Sequence, residues 1–290
     1  MKPSRSRFHR IHGLNYHLRE WGETESPKVF MLHGWMDVSA SFQFLVDALE
    51  REWHVIAPDW RGFGLTDWAQ SGYWFPDYLA DLDAIIDLYS PRDPVYLVGH
   101  SMGGNIACLY AGTRPDRVAA VISLEGFGVP RTDPAQAPQK YAQWLDAIKS
   151  EPAFKSYRFY EEVAERLIQN NPRLAPDKAR WLAQHWARTL ETGEIRLRAD
   201  PRHKTVNPVL YRIEEALACW SRAKCPVLWV SGAQSWIRRW IDETPEEFER
   251  RKRAFASFSE RAIDAAGHML HHDQPERTAA LIEEFLSSAD

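Results

Sequence analysis

The chain has 290 residues, 44% of them hydrophobic and 26% charged, with a formal net charge of -4 at pH 7. That is enough apolar material for one substantial core with room for a large insertion, and the slight acidity excludes a charge-driven nucleic-acid partner. The basic opening MKPSRSRFHRIHG precedes no apolar signal-type run, and no later segment has the apolar length of a membrane span, so a cytoplasmic protein without a membrane partner is expected.

The elements follow in order. Phe8 to Ile11 and Leu14 to Glu20 alternate around His12-Gly13 and predict an opening β-hairpin. Val29 to Leu32 is a short apolar strand ended by His33-Gly34-Trp35, Phe42 to Glu50 an amphipathic helix, and Val55 to Pro58 a buried strand. The glycine-punctuated turn Asp59 to Thr66 contains Asp59 and Arg61, assigned to holding that turn together. Asp77 to Tyr89 carries Tyr78, Leu82, Ile85, Ile86 and Tyr89 on one helical stripe and stops before Pro91. Pro94 to Gly112 then reads as strand, tight turn and helix, and Val118 to Leu124 as the next, sixth strand. Strands alternating with helices imply a mostly parallel sheet covered on both faces.

From Gly126 to about Arg222 the pattern changes. Prolines punctuate short helical segments rich in Trp, Tyr, Arg and Glu, and no strand run is expected. This predicts a helical cap over residues 128–222, inserted into a core of residues 1–127 and 223–290. Cys225 to Ser231 resumes the sheet, Thr244 to Phe258 is a predicted helix, Glu260 to Ile263 a last short strand and Glu276 to Leu286 a closing helix. The run ERRKR inside Thr244 to Phe258 is paired with acids four positions earlier and is read as a solvated face. Thirteen tryptophans are assigned mainly to packing, with a minority lining an apolar pocket. Cys108, Cys219 and Cys225 are odd in number and scattered, which argues against a disulfide framework; Cys108 reads as a small core residue.

Within the strand-turn-helix stretch, Gly99-His100-Ser101-Met102-Gly103 fits G-x-S-x-G. Glycines flanking the turn let a serine stand out of the sheet at a helix N-terminus, where free N–H groups favour developing negative charge. Through this motif, HGW at His33 to Trp35, PDWRGFG at Pro58 to Gly64 and GHMLHHDQPE at Gly267 to Glu276, the chain resembles the α/β-hydrolase superfamily. The resemblance covers nearly the whole length except the middle section. It implies the α/β-hydrolase fold with an inserted cap, Ser101 as nucleophile, His268 as the base that follows the last strand, and the backbone N–H groups of Trp35 and Met102 as the oxyanion hole. In this motif His33 braces the loop.

The acid departs from the commonest pattern. Relatives usually carry Asp shortly after the strand at Val227 to Ser231, where this chain reads Gly232-Ala233-Gln234-Ser235. Glu125, ending the sixth strand, is assigned instead, in the manner of haloalkane dehalogenases; Asp242 is the alternative. His271 and His272 are placed at the start of the closing helix with Asp273 as its cap. No H-E-x-x-H motif accompanies these histidines, so no metal and no cofactor are expected.

The implied activity is hydrolysis of a carboxylic ester or similar acyl compound, with a small apolar or aromatic ester as substrate. Carbon–carbon bond hydrolysis shares Ser and His and stays open. Cofactor-free dioxygenases are similar in HGW and W-R-G-x-G-L but carry His where this chain has Met102. A non-catalytic ligand-binding homologue is the third class. Oligomeric state is not legible.

Overall fold

The structure, a computed structural model, describes residues 1–70 and 72–289, the side chain of Ala289 excepted. The chain order is β1 (Ser4–Ile11), β2 (Leu14–Trp21), β3 (Lys28–Leu32), α1 (Gln43–Ala48), β4 (His54–Pro58), α2 (Phe75–Tyr89), β5 (Val95–His100), α3 (Met102–Thr113) and β6 (Val118–Leu124). After β6 come α4 (Ala137–Ala147), α5 (Tyr160–Asn170), α6 (Pro176–Trp186), β7 (Ala187–Thr189), β8 (Ile195–Leu197) and α7 (Ile213–Trp220). The chain then returns to β9 (Val227–Gly232), α8 (Ile237–Ile241), α9 (Pro245–Lys252), β10 (Phe258–Ile263), α10 (Leu270–Asp273) and α11 (Pro275–Ala289).

The large sheet has the order β1-β2-β4-β3-β5-β6-β9-β10. β1 and β2 pair antiparallel, as does β2 with β4, and every pairing from β4 to β10 is parallel. The central strands are apolar runs because both faces are covered, and the period of two sorts their side chains. Phe30, Leu32, Leu97 and Val121 face the core shared with α2, α3 and α7. Val29, Met31, Val98 and Ile122 face the opposite core, closed by α1 and α11. The crossover from β3 runs outward to β4 and the next returns across it to β5, so the topological switch falls between the carboxyl ends of β3 and β5. In an open parallel sheet that is where a ligand crevice opens.

Three expectations need correction. Between β6 and β9 the chain is mainly helical but includes the hairpin β7–β8, whose three-residue strands are shorter than a sequence pattern resolves. At the end of the same stretch, α7 packs on α3 and buries Ile213, Ala216 and Trp220 in the main core, so it belongs to the layer over the sheet. The helix read over Thr244 to Phe258 is only α9, and Phe255 reaches the core from the turn that follows. Cys108 is a buried core residue. No helix among the described residues is long and apolar enough to cross a membrane.

Candidate active site

β5 delivers the chain into a turn that only small neighbours allow. A Cβ on Gly99 would strike the Gly103 and Gly104 backbone, and one on Gly103 would strike the Leu32 carbonyl of β3. Ser101, between them, has φ 51° and ψ -112°, a strained conformation for an L residue. Its N–H donates to the Leu124 carbonyl at 2.8 Å, which ties the elbow to β6. Its side chain is half-buried and faces Gly34, where an added Cβ would stand 3.3 Å from the Ser101 Cβ. Met102 opens the twelve-residue α3, and the Trp35 and Met102 N–H groups make no turn or loop hydrogen bond among the described residues.

Glu125 is the first residue past β6 and also has a positive φ, 65°. It is 1% exposed, and its N–H donates to Val230 at 2.9 Å, so the sheet edge sets its direction. Gly232 N–H donates to Oε1 at 2.6 Å and the Ser235 hydroxyl donates to Oε2. His268 Nδ1 lies 3.2 Å from the same Oε2. A carboxylate only accepts, so this contact puts the imidazole proton on Nδ1 and leaves Nε2 with its lone pair. Asp242 caps α8 in the left-handed region, and no described hydrogen bond joins it to His268.

The structure therefore brings Glu125 and His268 into contact. None of the described hydrogen bonds joins the Ser101 hydroxyl to His268. Their segments meet through His100, which donates from Nε2 to the His268 carbonyl at 2.8 Å and holds its ring 4.9 Å from that of His268. Ser235 escaped the sequence reading because a hydroxyl in place of the expected acid looks like a simple loss. The short spacing from Gly232 to Ser235 at a strand end was the available signal.

Other polar residues serve the scaffold. His33 accepts from Trp60 N–H at 2.9 Å through Nε2 and meets the Gly34 carbonyl at 2.7 Å through Nδ1; burial pulls its pKa down to about 4, so it is neutral. Asp59 accepts from Ser39 N–H at 2.6 Å and Leu65 N–H at 2.9 Å, with His17 at 2.7 Å. Burial disfavours that charge, but the bond to His17 and the surrounding donors outweigh it and hold the carboxyl below its ordinary range. Arg61 grips Asp81 through two bonds of 2.7 Å.

The run ERRKR is not wholly solvated. Arg251 is 1% exposed and donates to Glu243 at 2.6 Å and to the carbonyls of Phe127 and Val129 at 2.8 and 3.0 Å, bracing the segment just after Glu125. Likewise Asp273 does not cap α11. Its carboxylate accepts from Gly267 N–H at 2.8 Å and from Asn171 at 2.7 Å, linking the loop before His268 to the end of α5. His271 and His272 are buried in α10. With Asp37 and His100, His271 forms a cluster of potential ligand atoms within 4.8 Å of one another, a juxtaposition invisible in the sequence. Burial raises Asp37 to about 7 and holds both imidazoles well below their ordinary range.

Of the tryptophans, Trp21, Trp60 and Trp220 are fully buried. Trp35 and Trp236 are exposed beside the site, the Trp236 ring 4.7 Å from that of His268. Trp74 and Trp144 line a separate cavity of about 210 Å³ that includes none of Ser101, Glu125 or His268.

Residues 27–275 match the family model described as the alpha/beta hydrolase fold. The chain is 27% identical over 276 residues to a serine hydrolase-like protein of Danio rerio, covering 92% of this chain and 83% of the relative. Among solved structures it is similar to a thioesterase domain from the curacin biosynthetic pathway, with TM-score 0.87 and 25% identity over 97% of this chain and 99% of that one. It shares its fold with an E-2-(acetamidomethylene)succinate hydrolase, with TM-score 0.77 and 23% identity over 98% and 100% of the two chains.

Proposed function

Because the chain belongs to the alpha/beta hydrolase fold family, we propose that it is a serine hydrolase cleaving a carboxylic ester or similar acyl compound through an acyl-enzyme on Ser101. The observation that carries this is the 3.2 Å contact between Glu125 Oε2 and His268 Nδ1 at the sheet edge where the strained Ser101 turn projects. A serine alcohol is a poor nucleophile until a base can take its proton, and a base needs an orienting acid.

In the proposed sequence, Ser101 Oγ bonds to the substrate carbonyl carbon as its proton passes to His268 Nε2. The carbonyl oxygen becomes an oxyanion, held by the N–H groups of Trp35 and Met102 with the α3 dipole behind the latter. The tetrahedral intermediate collapses, the leaving alcohol takes the proton from His268, and Ser101 carries the acyl group. Water, deprotonated by His268, then attacks that ester and releases acid and free serine. Glu125 keeps the imidazole aimed and stabilises its charged form.

The segment between β6 and α7 acts as a cap that screens this chemistry from bulk water; a shared apolar cluster packs it on Phe44 of α1. Exposed Trp35 and Trp236 favour apolar or aromatic acyl substrates. Incubation with a fluorophosphonate followed by mass spectrometry tests the proposal. Stoichiometric labelling of Ser101, absent in Ser101→Ala and weakened in His268→Ala, is expected; a folded protein that stays unlabelled overturns it.

A further inference from the structure

Behind the oxyanion loop, three buried side chains from distant segments come together, each with one side-chain polar atom left unpaired. Asp37 follows that loop, His100 ends β5, and His271 lies in α10; all are buried, with potential ligand atoms within 4.8 Å of one another. Asp37 Oδ1 accepts from the Trp186 indole at 3.0 Å and from Val38 N–H at 2.8 Å, which leaves Oδ2 without a partner. His100 uses Nε2 on the His268 carbonyl, which fixes its proton there, and Nδ1 is left unpaired. His271 turns Nε2 to the Ser41 hydroxyl at 3.4 Å, and its Nδ1 is also unpaired.

Buried polar atoms are rarely left without partners, and here each of the three clustered side chains has one. Each ligand is also anchored through its other atom, which is how outer partners orient the ligands of a metal. Two imidazoles and one carboxylate make a donor set suited to zinc and its neighbours, with a fourth position for water. Bonds of roughly 2.0 to 2.2 Å in a tetrahedral site put ligand atoms about 3.4 Å apart, so the three side chains close by an ångström or so on binding.

We propose that Asp37, His100 and His271 bind one divalent transition-metal ion of the zinc class, against the expectation from sequence that the histidines here hold none. The ion cross-links the oxyanion loop, the nucleophile strand and the segment that follows His268. It lies behind the proposed reaction centre, takes no step in the hydrolysis, and does not depend on the chemistry assigned to Ser101.

The test uses the full chain, stripped with chelator and refolded from urea with Zn²⁺ or Co²⁺ because the ligands are buried. Elemental analysis after dialysis is expected to give one metal ion per chain, and Co²⁺ a tetrahedral visible absorption spectrum. Asp37→Asn and His271→Gln, each checked for folding by circular dichroism, are expected to weaken binding by ~100-fold or more, beyond the 10- to 100-fold typical of losing an outer partner. The control His9→Ala/His12→Ala, at histidines outside the cluster, keeps it. Wild-type protein without stoichiometric metal, or undiminished affinity in either folded ligand variant, overturns the proposal.

Discussion

Glu125 and His268 stand 143 positions apart in the chain, yet Oε2 of the one lies 3.2 Å from Nδ1 of the other. Replacing the acid by its amide keeps the shape and removes the charge that orients the imidazole. Glu125→Gln is therefore expected to lower kcat for a nitrophenyl ester by roughly 10³ to 10⁴ with little change in KM. Asp242→Asn stays within twofold. Steady-state kinetics on both variants decide it, and a crippled Asp242→Asn beside a healthy Glu125→Gln reverses the assignment.

Ser235 donates to the same carboxylate oxygen that faces His268. Its removal leaves Glu125 less firmly aimed while the acid itself remains. Ser235→Ala is expected to reduce kcat about tenfold and stability by about 1.5–3 kcal/mol, the scale of one hydrogen bond to a charged group. Unchanged kcat in a well-folded variant would assign Ser235 to structure alone.

Arg61 belongs to the scaffold, and its loss should be felt as stability. Asp81 is fully buried and takes two bonds of 2.7 Å from the guanidinium. Truncating one partner of a buried pair costs about 3–5 kcal/mol, and since Asp81 keeps the Tyr16 hydroxyl at 3.1 Å and His12 at 3.0 Å the low end of that range is expected. Arg61→Ala should shift the urea midpoint down by a corresponding amount, while the folded fraction still takes the fluorophosphonate label. Loss of labelling without loss of stability contradicts this.

Stability should also fall as the solution is acidified. His33 is buried and His203 half-buried, and both are neutral, each lowered to about 4 chiefly by burial, with His203 stacked between Phe63 and Tyr73. The unfolded chain binds these protons near pH 6.5. Between 6.5 and 4 it therefore holds more protons than the folded chain, and stability declines with falling pH by up to about 1.4 kcal/mol per pH unit for each histidine. Urea melts at pH 7, 6 and 5 measure the slope. His203→Phe should reduce it by about one proton, and an unaltered slope would rule His203 out.

The sheet was legible because its central strands are apolar runs with sharp ends; Val118–Leu124 is found with the boundaries expected. Of the proposed site residues, Ser101 and Glu125 follow directly on β5 and β6 while His268 comes in the loop beyond β10, and the glycines around Ser101 mark its turn in the sequence. What escaped depends on tertiary contact. Arg251 sits in a charged run whose pattern predicts solvent, and only the fold turns it inward onto Phe127 and Val129. Asp37, His100 and His271 share no spacing that announces them. The hairpin β7–β8 is too short to rise above its helical surroundings.

In the proposed triad the acid follows β6, so the end of β9 and the loop after it contribute only an N–H from Gly232 and a hydroxyl from Ser235. The stretch beyond it, from Trp236 to Trp240, carries two exposed indoles, Trp236 against the His268 ring and Trp240 against Trp236, and takes no part in the proposed proton transfer. In the proposed mechanism selectivity and reactivity are thereby housed in separable modules. A combinatorial library over the exposed positions 236 and 238–240, which spares the buried Ile237, can explore new substrates while the proposed turnover machinery stays untouched.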